Sequence, residues 1–427
     1  MLAPFRGIRY ARDRVSGIAN VTSPPYDVIS SGSLDHLRAA DPHNVVRLIL
    51  PGEDADASQA AARLLGEWLS AGVLIRDRVP ALYLYEQSDT ASSWLQRGII
   101  ALVRLGSPES AGILPHEGVM PGPVAGRREL MKATRANLEP IFLIYDGEQA
   151  SEGGASTATD VIDQVAAERA PLVTVTTEDG VTHRLWRLGD PDEQAAIADD
   201  LAGRRALIAD GHHRYAAYLD LQAEMLASGA EAGPWDYGLA FLVDSAAYPP
   251  RLGAIHRVLP GLSPERAAAL AKAAFTVQDL PADLSLEDAQ EHLAAAGAEG
   301  TAFLLAGGPG FRLLTHPDPV QVAASMPADV SASWRSLDAS VLQQLLLGRL
   351  WGVTDSERDV LIDHDAANAV RAVSGDAGGT AVISNPVSFG EVIEIAANGE
   401  RVPRKSTSFG PKPRTGLVLR TFGPCDS

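Results

Sequence analysis

The run Ala209-Asp210-Gly211-His212-His213-Arg214-Tyr215 holds the densest set of chemistry-bearing side chains in the chain. It follows the apolar run Ala206 to Ala209 and opens a helical segment, so it reads as a turn from strand into helix. Gly211 permits a tight turn and the close approach of a ligand. The first turn of a helix leaves backbone N–H groups outside its own ladder and favours an anion there. Arg214 would add a bidentate charge, and His212 and His213 would donate hydrogen bonds or carry protons. Three basic side chains in a first turn oppose the helix dipole unless an anion sits among them.

Four further segments carry polar groups in unusual settings. In Ser23-Pro24-Pro25-Tyr26-Asp27-Val28-Ile29 two prolines fix an extended approach, and Asp27 at its end is a candidate metal ligand or proton acceptor. Pro42-His43-Asn44-Val45-Val46-Arg47 mixes polar donors into a strand-like run, which makes Asn44 and Arg47 candidate substrate contacts with Tyr26 and Arg127. His116 beside Glu117, on a loop favoured by Pro115 and Pro121, is a candidate acid/base pair. The tail Pro403-Arg404-Lys405-Ser406-Thr407-Ser408-Phe409-Gly410-Pro411-Lys412-Pro413 groups hydroxyls with lysines. The chain has only four lysines among its 36 basic residues, and Lys405 and Lys412 are two of them. Lysine offers a compact point charge to phosphate oxygens, where arginine offers a planar fork. The tail lacks the spacing of a P-loop, and HExxH, GxSxG, GxGxxG and EF-hand patterns are absent from the sequence.

The elements that must position these groups alternate between short apolar runs and amphipathic stretches, which predicts an α+β (mixed α/β) chain. Helices are expected over Asp56 to Ala71, Arg127 to Asn137, Asp160 to Arg169, Val341 to Leu350 and Phe389 to Ala397. Strands are expected at Leu82 to Tyr85, Gly98 to Arg104, Ile141 to Tyr145 and Leu417 to Leu419, with a hairpin around Asp179-Gly180 and another around residues 307–310. His183 is isolated in the sequence and is expected on the surface. The small polar stretch Asp146 to Thr157 reads as a linker or long loop. The expected organisation is an N-terminal α/β domain over 1–146, a core over 147–260 and a C-terminal α/β region over 261–427 whose tail returns to the site.

At 427 residues and 46% hydrophobic content the chain can bury ordinary cores. Its formal charge of -18 argues against nucleic acid as a partner. Cys425 stands alone, which excludes an intrachain disulfide and a Cys-ligated metal. No apolar run is long enough for a membrane-spanning helix and no secretory pattern opens the chain, so a cytoplasmic protein is expected.

The segments PPYDVI (24–29), PHNVVRL (42–48), YEQ (85–87), PHE (115–117), ADGHHRY (209–215), HRV (256–258) and PRKSTSFGPKP (403–413) occur in that order. Together they resemble domain-of-unknown-function family 1015 of bacteria and archaea. Ser408 and Gly410 stand where that resemblance would place aromatic residues. The strand–helix–strand–DGHHR–helix order is similar to the core of the ParB/sulfiredoxin-like superfamily, over about residues 160–230. That resemblance implies a phosphate cradle of Gly211, His212, His213 and Arg214, a nucleotide such as ATP or ADP, and serine or phosphoserine as substrate. The function expected is phosphoryl transfer on a small metabolite, in the kinase or phosphatase direction. Arg214, Lys405 and Lys412, with Ser406 and Thr407, would hold phosphate. Asp27 and Glu117 would bind Mg²⁺ or accept the hydroxyl proton, and Asp210, His116, His212 and His213 would serve the proton transfers or, in a phosphatase, nucleophilic attack. The alternatives are a ParB-like nucleotide switch without metabolic chemistry, or a metal-dependent hydrolase using His116, Glu117, Asp210 and His212.

Overall fold

A computed structural model describes residues 2–423 apart from 53, 90, 108–110, 148–157, 355, 357 and 375–377. Cys425 and most of the proposed linker 146–157 lie outside the described residues. The architecture is mixed α/β. The chain forms two compact units. The first comprises residues 1–115, 119–250 and 411–427, and the second comprises residues 116–118 and 251–410. The N-terminal segment and the segment beginning at 147 contribute strands to one and the same sheet.

That sheet runs in the order Ile113–Leu114, Ala206–Asp210, Ile141–Tyr145, Tyr237–Asp244, Trp94–Arg104, Leu82–Asp89, Thr182–Leu188, Val173–Thr176, with Leu2–Ala3 paired beside Trp94–Arg104. Ala206–Asp210 pairs antiparallel with Ile141–Tyr145, which runs parallel to Tyr237–Asp244. The two inner strands Ile141–Tyr145 and Ala206–Asp210 are buried throughout, as strands covered on both faces must be. One face packs under helices Ala158–Glu168 and His212–Ala227, with Ile162, Val165, Ala217 and Leu221 against Leu143 and Ala240. A second apolar cluster joins Trp68 and Leu65 of helix Ala57–Ser70 to Leu130 of helix Pro121–Thr134 and to Val45, Val46 and Leu48.

In the second unit six strands form an antiparallel sheet, ordered Thr276–Asp279, Arg312–Thr315, Phe303–Ala306, Thr380–Ser384, His256–Leu259, Leu361–Asp363. Apolar clusters cover both faces, one containing Leu345 and Leu346 and the other Leu293 and Ala369. Asp338 is an acid that burial pushes up to about 6, with Glu391 adding to the effect while Thr301 and the Ala302 N–H oppose it. A carboxyl raised above its unfolded value favours the folded state most below about pH 4, and that contribution disappears as the pH rises through about 6. Asp338→Asn is therefore expected to stabilise the protein at pH 8 by on the order of 2 kcal/mol and to change little at pH 4. Urea denaturation at the two pH values checks this, and an equal effect at both would contradict it.

Most expected elements are present, with four corrections. The run 42–47 is not strand-like, because Val46–Ile49 forms a helical turn that Asn44 initiates. The helix expected from Arg127 begins earlier, over Pro121–Thr134, because Pro121 suits its first turn. Residues 417–419 do not form a strand, and the pairing there is an isolated bridge from Leu419 to Ile8 followed by the short strand Arg420–Thr421. His183, expected on the surface, is buried between Tyr85 and Thr177. The helical segment Leu342–Leu350 adopts the wider π-type turn. Among the described residues no helix is long and apolar enough to cross a membrane.

Candidate active site

The strand Ala206–Asp210 delivers Asp210 through an irregularity. Its register against Ile141–Tyr145 shifts between Ile208 and Asp210, a bulge that re-aims the last side chain of the strand. The chain then turns at Gly211, whose φ of 98° lies in the left-handed region, into helix His212–Ala227. A Cβ at Gly211 would stand 3.0 Å from Ile141 Cγ2 and 3.2 Å from two guanidinium nitrogens of Arg214. Gly211→Ala is expected to cost about 1–2 kcal/mol from the backbone conformation alone. Thermal denaturation measures this, and an unchanged melting temperature would contradict it.

Four residues beyond Asp210, Arg214 lies one turn up the same helix and folds back on it. Its Nη2 donates to Asp210 Oδ2, and its Nη1 donates to Pro140 O at 2.7 Å. Arg214 is 2% exposed, and its Nε is buried without a hydrogen-bond partner. Asp210 Oδ1 accepts from Lys412 Nζ at 2.5 Å, and Lys412 also donates to Asp27 Oδ2. On the other flank Glu139, buried, accepts from Tyr26 N at 3.0 Å and from Thr415 Oγ1 at 3.2 Å. Arg127 Nη1 is 4.0 Å from Glu139 and donates to Ile49 O at 2.8 Å. The Tyr26 ring lies under Arg127 at 4.3 Å and within 5.8 Å of Arg214.

Asp27, Lys412, Asp210, Arg214, Glu139 and Arg127 thus form a ladder of alternating sign that crosses from the surface into the first unit. Burial alone would push Asp210 up, but Arg214 and Lys412 outweigh it and hold the carboxyl below its ordinary range. Burial would pull Lys412 down, yet Asp210 and Asp27 raise it, so its ammonium stays charged. Burial wins at Glu139, which is raised although Arg214 and Arg127 act against the shift. Exposure is graded along the ladder: the Asp27 side chain is 34% exposed, Lys412 24% and Asp210 7%. The arrangement presents one accessible carboxylate on a fixed cationic mount.

The structure corrects several expected roles. Arg214 does not present a fork to a ligand, because both terminal nitrogens are used within the protein and its charge holds Asp210. Asn44 is fully buried, its amide donating to Asn20 O and Thr22 O and accepting from Val46 N, so it ties two loops together rather than facing a substrate. Arg47 donates to Arg38 O at the end of helix Ser31–Ala40. His213 Nε2 accepts from Met120 N and so caps helix Pro121–Thr134. His212 opens helix His212–Ala227 and is buried.

His116, Glu117, Lys405, Ser406 and Thr407 belong to the second unit. His116 is fully buried there, edge-on to Phe409 with ring centroids 5.5 Å apart. Thr407 Oγ1 lies 2.9 Å from His116 Nε2 and donates to Glu117 Oε1 at 2.8 Å. A hydroxyl has one proton, so with that proton on Glu117 the His116 Nε2 must donate. Ser406 donates to Pro403 O at 2.5 Å. Lys405 takes a φ of 54°, a left-handed conformation that a non-glycine residue adopts at some cost. Arg257, buried, holds that turn through Lys405 O at 2.8 Å and Arg404 O at 3.1 Å. Among the described residues no group of three or more His, Cys, Asp or Glu is placed to hold a metal ion.

Sequence reasoning missed Glu139 and Arg414, and it gave Arg257, within the segment HRV (256–258), no role. Glu139 had one signal, a lone charge between Leu138 and Pro140-Ile141. Arg257 and Arg414 act on backbone carbonyls far away in sequence, and no local pattern marks that.

The family model described as "Protein of unknown function (DUF1015)" matches residues 2–340, and the chain belongs to that family. The tail carrying Lys405 and Lys412 lies beyond the matched residues. No curated protein matches the chain. Among solved structures, a free serine kinase variant in complex with ADP is similar over 73% of this chain and 87% of its own, at 14% identity and a TM-score of 0.35. SbnI with a C-terminal truncation from Staphylococcus aureus is similar over 74% and 84%, at 11% identity and a TM-score of 0.35. A conserved hypothetical protein from Pyrococcus furiosus is similar over 73% and 90%, at 13% identity and a TM-score of 0.34.

Proposed function

We propose that the chain is a phosphoryl-transfer enzyme acting on a small hydroxyl metabolite, with serine or phosphoserine preferred. One observation carries the reading: the accessible carboxylate of Asp27 is anchored by Lys412, which is itself fixed by the buried Asp210–Arg214 pair. Phosphoryl transfer asks a protein mainly for positioning and charge neutralisation, and this ladder supplies both without a special nucleophile.

In the kinase direction the substrate hydroxyl gives its proton to Asp27 as its oxygen bonds to phosphorus. The bond from that phosphorus to the nucleotide's bridging oxygen breaks, and the shortened nucleotide leaves with the electron pair. Lys412 neutralises charge beside the reacting oxygens, and the first turn of helix His212–Ala227, which Gly211 opens, would offer its N–H groups to a phosphate. In the alternative role Asp27 would hold a nucleotide's Mg²⁺, which supplies charge neutralisation, instead of accepting the proton. The serine and nucleotide assignments rest on the sequence resemblance to the ParB/sulfiredoxin-like superfamily. A cytoplasmic setting fits such substrates.

The test is chemical. Purified protein is incubated with serine, Mg²⁺ and either ATP or ADP, and separately with phosphoserine, and phosphorus is followed by ³¹P NMR. Conversion in at least one mixture is expected. Unchanged spectra in all of them, with dimerisation on adding nucleotide, would replace this reading by the nucleotide switch.

A further inference from the structure

The first unit holds a cavity of about 420 Å³ lined by Ala19, Leu37, Ala40, Asp179, Glu178 and Arg414, among others. It is walled by the helical turn Ile18–Val21, helix Ser31–Ala40 and the hairpin turn at 177–179.

The guanidinium of Arg414 is fixed from behind. Its Nε donates to Thr22 Oγ1 at 2.7 Å, and its Nη2 donates to Thr22 O at 3.0 Å and Ala19 O at 3.2 Å. Its backbone N–H donates to Tyr85 OH, which meets His183 Nδ1 at 2.8 Å. No described residue takes a bond from Nη1, and that atom is not sealed in the core. The charge is therefore held by carbonyls and a hydroxyl, and no hydrogen-bonded carboxylate neutralises it. Asp179 is fixed in a similar way: Oδ1 accepts from Thr177 Oγ1 at 2.5 Å and from Val181 N at 3.2 Å, and no described residue donates to Oδ2.

A ligand carrying only negative charge would meet Asp179 and Glu178, and one carrying only positive charge would meet Arg414. A zwitterion satisfies both ends, and the apolar wall of Ala19, Leu37 and Ala40 accommodates an apolar side chain between them. We infer that this pocket binds a free α-amino acid with an apolar side chain, its carboxylate on Arg414 and its ammonium against Asp179. The site is independent of the phosphoryl-transfer reading and uses none of its residues.

Calorimetric titration of the full chain with L-leucine tests the inference, with isocaproate and isoamylamine as probes that each lack one charged group. Leucine is expected to bind at least about tenfold more tightly than either. Arg414→Ala should weaken leucine binding by a similar factor. That variant also releases Thr22 and Ala19, so a second one is needed. Gly32 lines the cavity on an exposed helix face, and a Cβ there meets nothing within 4 Å. Gly32→Trp fills the pocket from outside and should weaken leucine binding about tenfold or more with the melting temperature unchanged. Equal affinity for all three compounds, no binding of leucine to the wild type, or unaltered leucine affinity in Gly32→Trp would overturn the inference. The last outcome would move the bound leucine to another place on the chain.

Discussion

Replacement of Arg214 by Ala is expected to destabilise the protein by about 3–5 kcal/mol. The guanidinium is 2% exposed and pairs with Asp210 in a setting where neither group can turn to water. Its removal leaves Asp210 with Lys412 as its remaining cation, and it strips Glu139 of the cation that acts on it most strongly. It also orphans Pro140 O, which accepts from Nη1 at 2.7 Å. Arg214→Lys should recover only part of the loss, because an ammonium cannot span two acceptors held by a planar fork. The double variant with Asp210→Ala should cost less than the sum of the single changes, since each single change strands a charge that the other removes. Urea denaturation of the wild type, the three single variants and the double variant measures this. A cost below about 1 kcal/mol for Arg214→Ala would show that the pair is not the foundation of the ladder.

The second large effect falls on rate. Asp27→Asn is expected to slow phosphoryl transfer by about 10²- to 10⁴-fold, the range in which a positioned proton acceptor contributes. Stability should change little, because an ion pair with substantial solvent exposure is worth at most about 1 kcal/mol. Lys412 also keeps Asp210 as a partner after the change. The two variants therefore separate by readout: one lowers the melting temperature, and the other leaves it alone while lowering turnover. A normal rate in Asp27→Asn would remove the proposed proton acceptor.

Much of this arrangement was legible in the sequence, though not in the roles first expected. The strand-to-helix turn at Gly211 was legible because an apolar run, a glycine and a helical period follow in order. The scarcity of lysine singled out Lys412, and the structure places that ammonium between two carboxylates. Arg214 was visible as a charge in a first helical turn, but its spacing of four from Asp210 let the two close on each other. Burial decided that outcome, and burial depends on Pro140 and Glu139, more than seventy residues away. Asn44 illustrates the same limit. Its side chain looked like a ligand contact in a strand, yet it initiates a helical turn and ties down the carbonyls of Asn20 and Thr22. His183 read as an isolated surface residue, but it is buried and held near a value of about 3, chiefly by desolvation, so it is neutral at physiological pH. Local pattern gives elements and turns, whereas which polar groups neutralise each other is settled by contacts distant in sequence.

The most direct test follows ³¹P spectra of two matched samples, wild type and Asp27→Asn, each with serine, Mg²⁺ and nucleotide, after equal folding of the two proteins has been verified. The account predicts a new phosphomonoester signal that grows in the wild-type tube and is suppressed at least about a hundredfold in the other. Spectra that stay unchanged with the wild type, or signals that grow equally in both tubes, would contradict it.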